Sequence, residues 1–180
     1  GKFFQRPDLQ YLYVGYKFYN YMVTSGGFYY PIGNPNLTPE QTTAYEVGFE
    51  RLLGDNTRLG VTAYLKDLTA QAQVYNQAST ASNTKSYGTF QNSDYGTVKG
   101  LEIDLEMKRT ENVSLDVKYT LQFAEGTGSY ANTARNVAWT DANDPKQAAP
   151  LDYDQRHKFT GNIDWRFRKG DGPLLGSTRI

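Results

Sequence analysis

Between Val98 and Phe123, apolar and polar residues take turns almost without a break. Odd positions hold Leu101, Ile103, Leu105 and Met107, then Val113, Leu115, Val117, Tyr119, Leu121 and Phe123. Even positions hold Glu102, Asp104, Glu106 and Lys108, then Ser114, Asp116, Lys118, Thr120 and Gln122. Successive side chains leave a strand on opposite faces, so this period of two predicts β-strands with one apolar and one charged face. The break at Thr110-Glu111-Asn112 predicts a turn, and the parity kept across it puts both apolar sets on one side of a hairpin. Opposite charges facing each other favour a register by about 0.2–1 kcal/mol per pair. Glu106 is therefore expected opposite Lys118 and Lys108 opposite Asp116, with residues 110–114 as the turn.

The pattern recurs on both sides of this hairpin. Tyr45, Val47, Phe49, Leu59, Val61, Ala63 and Leu65 alternate with Glu46, Gly48, Glu50, Arg58, Gly60, Thr62, Tyr64 and Lys66. Gly54-Asp55-Asn56 between them is a good short turn. A further strand alternates His157, Phe159, Gly161, Ile163, Trp165 and Phe167 with Arg156, Lys158, Thr160, Asn162, Asp164 and Arg166. It runs into Gly170-Asp171-Gly172-Pro173, a short turn, after which "LLGSTRI" opens another strand. Each strand reaches the roughly 9–11 residues that cross a bilayer at a tilt. Connections at 54–56, 110–112 and 169–173 are short, whereas 67–94 and 124–152 read as long loops rich in Gly, Ser, Thr, Asn and Tyr. Short turns at one end and long loops at the other are the plan of an outer-membrane barrel. Aromatics sort by height in the same way. Tyr45, Tyr95, Tyr119, Phe123 and Phe159 fall near the loop end; Phe49, Trp165 and Phe167 fall near the turn end. Such girdles suit the two membrane interfaces.

Composition narrows the alternatives. Nineteen basic and nineteen acidic residues cancel, leaving no broad basic field for nucleic acid. There is no cysteine, hence no disulfide and no thiolate metal site. No apolar run is long enough for a membrane-crossing helix. Fifteen tyrosines among only 38% hydrophobic residues fit a wall wet on one side better than a dry core. The opening "GKFFQRP" reads as the interior of a longer protein.

A family resemblance follows from four blocks in order. "NPNLTPEQTTAYEVGFE" (Asn34 to Glu50) resembles the segment that opens a strand in the C-terminal half of TonB-dependent outer-membrane receptors. "RLGVTAYLKDL", "NSDYGTVKGLEIDL" and "LDYDQRHKFTGNIDWRF" are similar to the strands that follow it there. The resemblance implies an all-β fold: an antiparallel transmembrane β-barrel segment, about five to six strands of a barrel of about 22. It also implies long extracellular loops, short periplasmic turns and a place in the outer membrane of a Gram-negative cell. Residues 1–180 would be partial barrel, with no plug domain and no TonB box in this stretch. The implied partners are outer-membrane lipid, TonB by way of a plug carried elsewhere, and a nutrient such as a siderophore, cobalamin or glycan. The other reading left open by the residues is a soluble all-β module whose tyrosine-rich loops hold a carbohydrate.

Particular residues carry particular expectations. Asn34, Pro35, Asn36, Leu37, Pro39, Glu40, Tyr45, Glu46 and Gly48 form the family signature, expected to be structural. Pro31, Pro35 and Pro39 fix φ and remove donors, which predicts a rigid loop. Leu37 is placed to pin that loop to the rim, and Glu40 to accept from strand-end amides. No catalytic residue is expected, since no serine has a visible base partner. No cofactor and no metal are expected. His157 reads as a girdle residue, and Asp141, Asp144, Asp152 and Asp154 do not have the spacing of a calcium loop. Tyr13, Tyr16, Tyr19, Tyr29, Tyr30, Tyr130 and Trp139 are the candidate substrate contacts, because a ring offers a flat apolar face with a polar handle. Asp8 after Pro7 is positioned to cap a short helix, although strand spacing fits residues 12–18 as well.

Overall fold

The computed structural model describes residues 1–13, 31–77, 87–133 and 146–167. They form strands β1 (Lys2–Gln5), β2 (Glu40–Leu53), β3 (Thr57–Gln77), β4 (Tyr87–Thr110), β5 (Val113–Gly126), β6 (Ala149–Pro150) and β7 (His157–Trp165). One helical turn, α1 (Leu9–Leu12), lies between β1 and β2. The strands make one sheet in the order β1-β2-β3-β4-β5-β6, with β7 also on β5. β6 covers Glu125 and Gly126, and β7 covers Val113 to Leu121, both antiparallel to β5. The β4–β5 turn is tighter than expected. Strand structure runs to Thr110 and resumes at Val113, leaving only Glu111 and Asn112 as the turn. Glu111 takes φ 55°, the left-handed region that short hairpin turns demand.

The stretch expected to be a long loop at 67–94 is largely strand. β3 runs to Gln77 and β4 starts at Tyr87. Its polar composition hid it, because ladder hydrogen bonds are made by backbone and do not require an apolar face. The stretch expected to loop at 124–152 also begins as strand, to Gly126. Asp8 precedes α1, but its carboxylate makes no capping bond; the turn is closed by Tyr11 N–H to the Asp8 carbonyl at 2.9 Å. The expected turn at 169–173 lies outside the described residues.

Residues cluster into two compact units. The first comprises Gly1–Tyr45, Leu65–Val98 and Phe123–Asp154. Its apolar centre is Ala72, Val74, Phe90 and Ala131, with Tyr11 and Leu37 packed on it. The Tyr11 and Phe90 rings lie 4.5 Å apart, so α1 is held to β4 by an aromatic contact. Within β3, Ala70 takes the left-handed φ of 57°. The Asn92 amide ties this residue to the proline block, donating to the Ala70 carbonyl at 2.7 Å and the Thr38 carbonyl at 2.9 Å.

The second unit comprises Glu46–Tyr64, Lys99–Gln122 and Gln155–Ile180. Here the predicted alternation is explicit in the β5–β7 register. Leu115 faces Ile163, Val117 faces Gly161 and Tyr119 faces Phe159, while Asp116 faces Asn162 and Lys118 faces Thr160. Apolar therefore meets apolar and polar meets polar. The apolar side has no protein over it: Val47 is 73% exposed, Phe159 71% and Ile163 68%. The charged side organises itself across three strands. Arg58 on β3 reaches Glu106 on β4 at 3.1 Å and Glu50 on β2 at 3.5 Å. Glu106 thus takes its partner from β3 rather than from Lys118, because one guanidinium fork can serve carboxylates on both sides. Nearby, Tyr64 on β3 lies over Gly100 on β4 and donates its hydroxyl to the Gln122 amide oxygen on β5 at 3.0 Å. A Cβ on Gly100 would sit 2.5 Å from the Tyr64 hydroxyl and 2.6 Å from the Leu121 carbonyl, so only glycine fits beneath that ring.

Candidate functional site

The proline block is tied down residue by residue in the first unit. The Asn34 side chain donates to the Phe90 carbonyl at 2.8 Å and accepts from the Asn36 N–H at 3.0 Å, the second bond closing a local turn at Pro35. Thr38 N–H donates to the Asn92 side-chain oxygen at 2.8 Å. Glu40 opens β2 and accepts the Ala72 N–H at 3.0 Å. Leu37 sits on the apolar centre. Tyr45 points from β2 with its ring exposed. Glu46 is exposed as well, and Gly48 lies beside Thr62 of β3.

Behind this block lies a polar centre that the alternation did not reveal. Gln73 is fully buried and Asp94 is 4% exposed. The Gln73 amide donates to one Asp94 oxygen at 2.6 Å and to the Tyr130 carbonyl at 3.2 Å, while its own oxygen accepts the Val74 N–H at 2.9 Å. Lys146 donates to the other Asp94 oxygen at 3.1 Å and to the Ser93 hydroxyl at 3.1 Å. Both oxygens of a buried carboxylate are thereby engaged, one by an ammonium, which is the condition for burying it. Gly128 crosses directly over this bond, where a Cβ would meet Asp94 and Gln73. In the sequence Asp94 and Lys146 look like ordinary solvated charges, and no local spacing joins Gln73 to them.

Beside this centre a pocket of about 200 Å³ opens, walled by the β1–α1 corner, the start of β2, β3 and residues 128–131. Of the tyrosines named as substrate contacts, Tyr13 and Tyr130 are described. Both rings are exposed, and Tyr130 lines the pocket whereas Tyr13 does not. Tyr16, Tyr19, Tyr29, Tyr30 and Trp139 lie outside the described residues, as do Asp141 and Asp144. Asp154 accepts the Ala124 N–H at 2.8 Å and Asp152 N–H donates to the Ser129 hydroxyl, so this pair of residues fastens the chain beyond β6 to its neighbours. His157 begins β7, with its Nδ1 2.8 Å from the Tyr119 hydroxyl on β5. Among the described residues no three His, Cys, Asp or Glu side chains gather as a metal site. Among the described residues no helix is long and apolar enough to cross a membrane.

No curated protein among those compared matches the chain. A family model does: the TonB dependent receptor-like, beta-barrel model covers residues 1–179. Members of that family are receptors and transporters rather than enzymes, and they lie typically in the outer membrane of Gram-negative bacteria. The antiparallel sheet, the uncovered apolar side and the charged side opposite it are what such a wall requires. With the match running over residues 1–179, the chain belongs to the TonB-dependent receptor β-barrel family.

Proposed function

We propose that residues 1–180 are wall and outer rim of an outer-membrane transporter that imports a nutrient such as a siderophore, cobalamin or glycan. The observation that carries this reading is the two-sided sheet of the second unit. Leu115–Ile163 and Tyr119–Phe159 pairs lie on a side open to the surroundings, with Asp116–Asn162 and Lys118–Thr160 pairs on the other. Water on both sides would leave that apolar array a liability, whereas lipid on one side and a wet lumen on the other satisfies both. Energy for uptake enters from TonB acting on a plug carried outside this stretch, and the barrel's own contribution is passage and recognition. Recognition is assigned to the loop tyrosines, with Tyr13 and Tyr130 exposed on the described rim and Tyr16, Tyr19, Tyr29, Tyr30 and Trp139 as further contacts. The asparagine and proline signature from Asn34 to Glu40 has a stapling role, which its bonds to Phe90, Asn92 and Ala72 support.

Purification from cells tests the class. Recovery in the outer-membrane fraction, detergent dependence and slower gel migration after heating are expected. A protein monodisperse in plain buffer would point instead to a soluble carbohydrate-binding module. Uptake of labelled nutrients by cells with and without the gene, each with and without TonB, then identifies the cargo.

A further inference from the structure

The pocket of the first unit is small, polar and lopsided in charge. Arg6 and Asp8, both exposed, line it on either side of buried Pro7, and the less exposed Glu40 and Asp94 are its inner carboxylates. The inner carboxylates are already engaged, Glu40 by the Ala72 N–H and Asp94 by Gln73 and Lys146. Arg6 and Asp8 are different. Neither side chain has a hydrogen-bond or ion-pair partner among the described residues, and Asp8 does not cap α1. They do not pair with each other either. Pro7 fixes φ between them, and a cation and an anion without a partner among the described residues thus line the same cavity.

We infer that this pocket binds a small zwitterion of the amino-acid or dipeptide type, its carboxylate on Arg6 and its ammonium on Asp8. A guanidinium offers a planar fork matched to a carboxylate. An ammonium at Asp8 also meets the negative field of Glu40. Other charge classes fit worse. A simple anion would satisfy Arg6 but face Asp8 and Glu40, a simple cation would be opposed by Arg6, and a neutral sugar would leave both ionic groups without a counter-charge. Gln71, which also lines the pocket, offers hydrogen bonds to a peptide group between the two charged ends. A cavity of about 200 Å³ suits a ligand of this size and excludes a macrocycle such as cobalamin. The site does not depend on what the barrel transports, and its failure would leave the proposed transport function standing.

Calorimetric titration of the intact receptor in detergent with L-alanine and with L-alanyl-L-alanine tests the inference. At least one is expected to bind saturably. N-acetyl-alanine, alaninamide and glucose should each bind about tenfold more weakly or worse, the loss expected for one missing charged hydrogen bond. Arg6→Gln should bring the zwitterion down to the level of alaninamide, and Asp8→Asn down to that of N-acetyl-alanine. These crossed losses cannot come from misfolding, and unchanged heat-dependent gel migration of both variants checks assembly. No binding of either zwitterion, equal binding of glucose, or wild-type selectivity in both variants would overturn the assignment.

Discussion

Asp94 is the residue on which the first unit's rim turns. Its carboxylate is almost wholly out of water and is held by an amide and an ammonium. Asp94→Ala removes the acceptor and leaves the buried Gln73 amide short of a partner, so a loss of about 3 kcal/mol or more is expected. Lys146→Ala should cost less, because more than a third of that side chain already faces water. Gly128→Ala should also destabilise, since the new methyl enters the space of the Asp94–Gln73 bond. Urea unfolding of the barrel assembled in lipid vesicles measures all three. A Lys146→Ala loss larger than that of Asp94→Ala would show that the carboxylate is not the buried hub.

At the scale of strands, the charged face is knitted by contacts that skip from strand to strand. Arg58 spans β2 to β4, and Tyr64 spans β3 to β5 above Gly100. Arg109 at the end of β4 reaches Asp164 on β7 at 2.6 Å and the Asn112 carbonyl in the turn at 3.0 Å. Tyr64→Phe should cost about 1 kcal/mol, the usual worth of one hydroxyl hydrogen bond. Gly100→Ala should cost more, since its methyl lands on the Tyr64 ring and the Leu121 carbonyl. Combining Gly100→Ala with Tyr64→Ala should cost less than the sum of the two, because removing the ring frees the space the methyl needs. Strict additivity in that cycle would mean that ring and glycine do not share one site.

For the molecule as a whole, the two faces of the sheet should respond oppositely to charge. Arg at Ile103, Val117 or Val61 is expected to cost about 2–4 kcal/mol on the lipid side, and Arg at Thr120 or Thr62 far less. Equal penalties on both faces would contradict the assignment. Height along the strands is also testable. Phe159 and Trp165 mark the two ends of the exposed apolar stripe on β7, roughly 20 Å apart at a strand's rise per residue. A cysteine at Thr127 should react with an impermeant thiol reagent on intact cells, and cysteines at Asp55 and Glu111 should not. The reverse pattern would invert the barrel's orientation.

Much of this was legible in the sequence, and the limit is physical. Alternation is a local property, so the faces of β2, β4, β5 and β7 could be read directly from Tyr45 to Phe49, Leu101 to Met107, Val113 to Phe123 and His157 to Trp165. The membrane character followed from how aromatics and charges sort along those strands. What lies beyond the apolar stripe could not be read in this way. The outer parts of β3 and β4 look like loop, because their ladders rest on backbone bonds and their cover comes from α1 and the proline block. The Glu111-Asn112 turn and the choice of Arg58 for Glu106 depend on register and reach across strands. Tertiary structure alone brought together Gln73, Asp94 and Lys146, and set Arg6 and Asp8 at one pocket. Gln73, Asp94 and Lys146 are polar, short-ranged in their bonding and distant in sequence from one another. The rest of the pocket wall comes from β2, β3, β4 and residues 128–131, so only the folded chain could decide where these charges go.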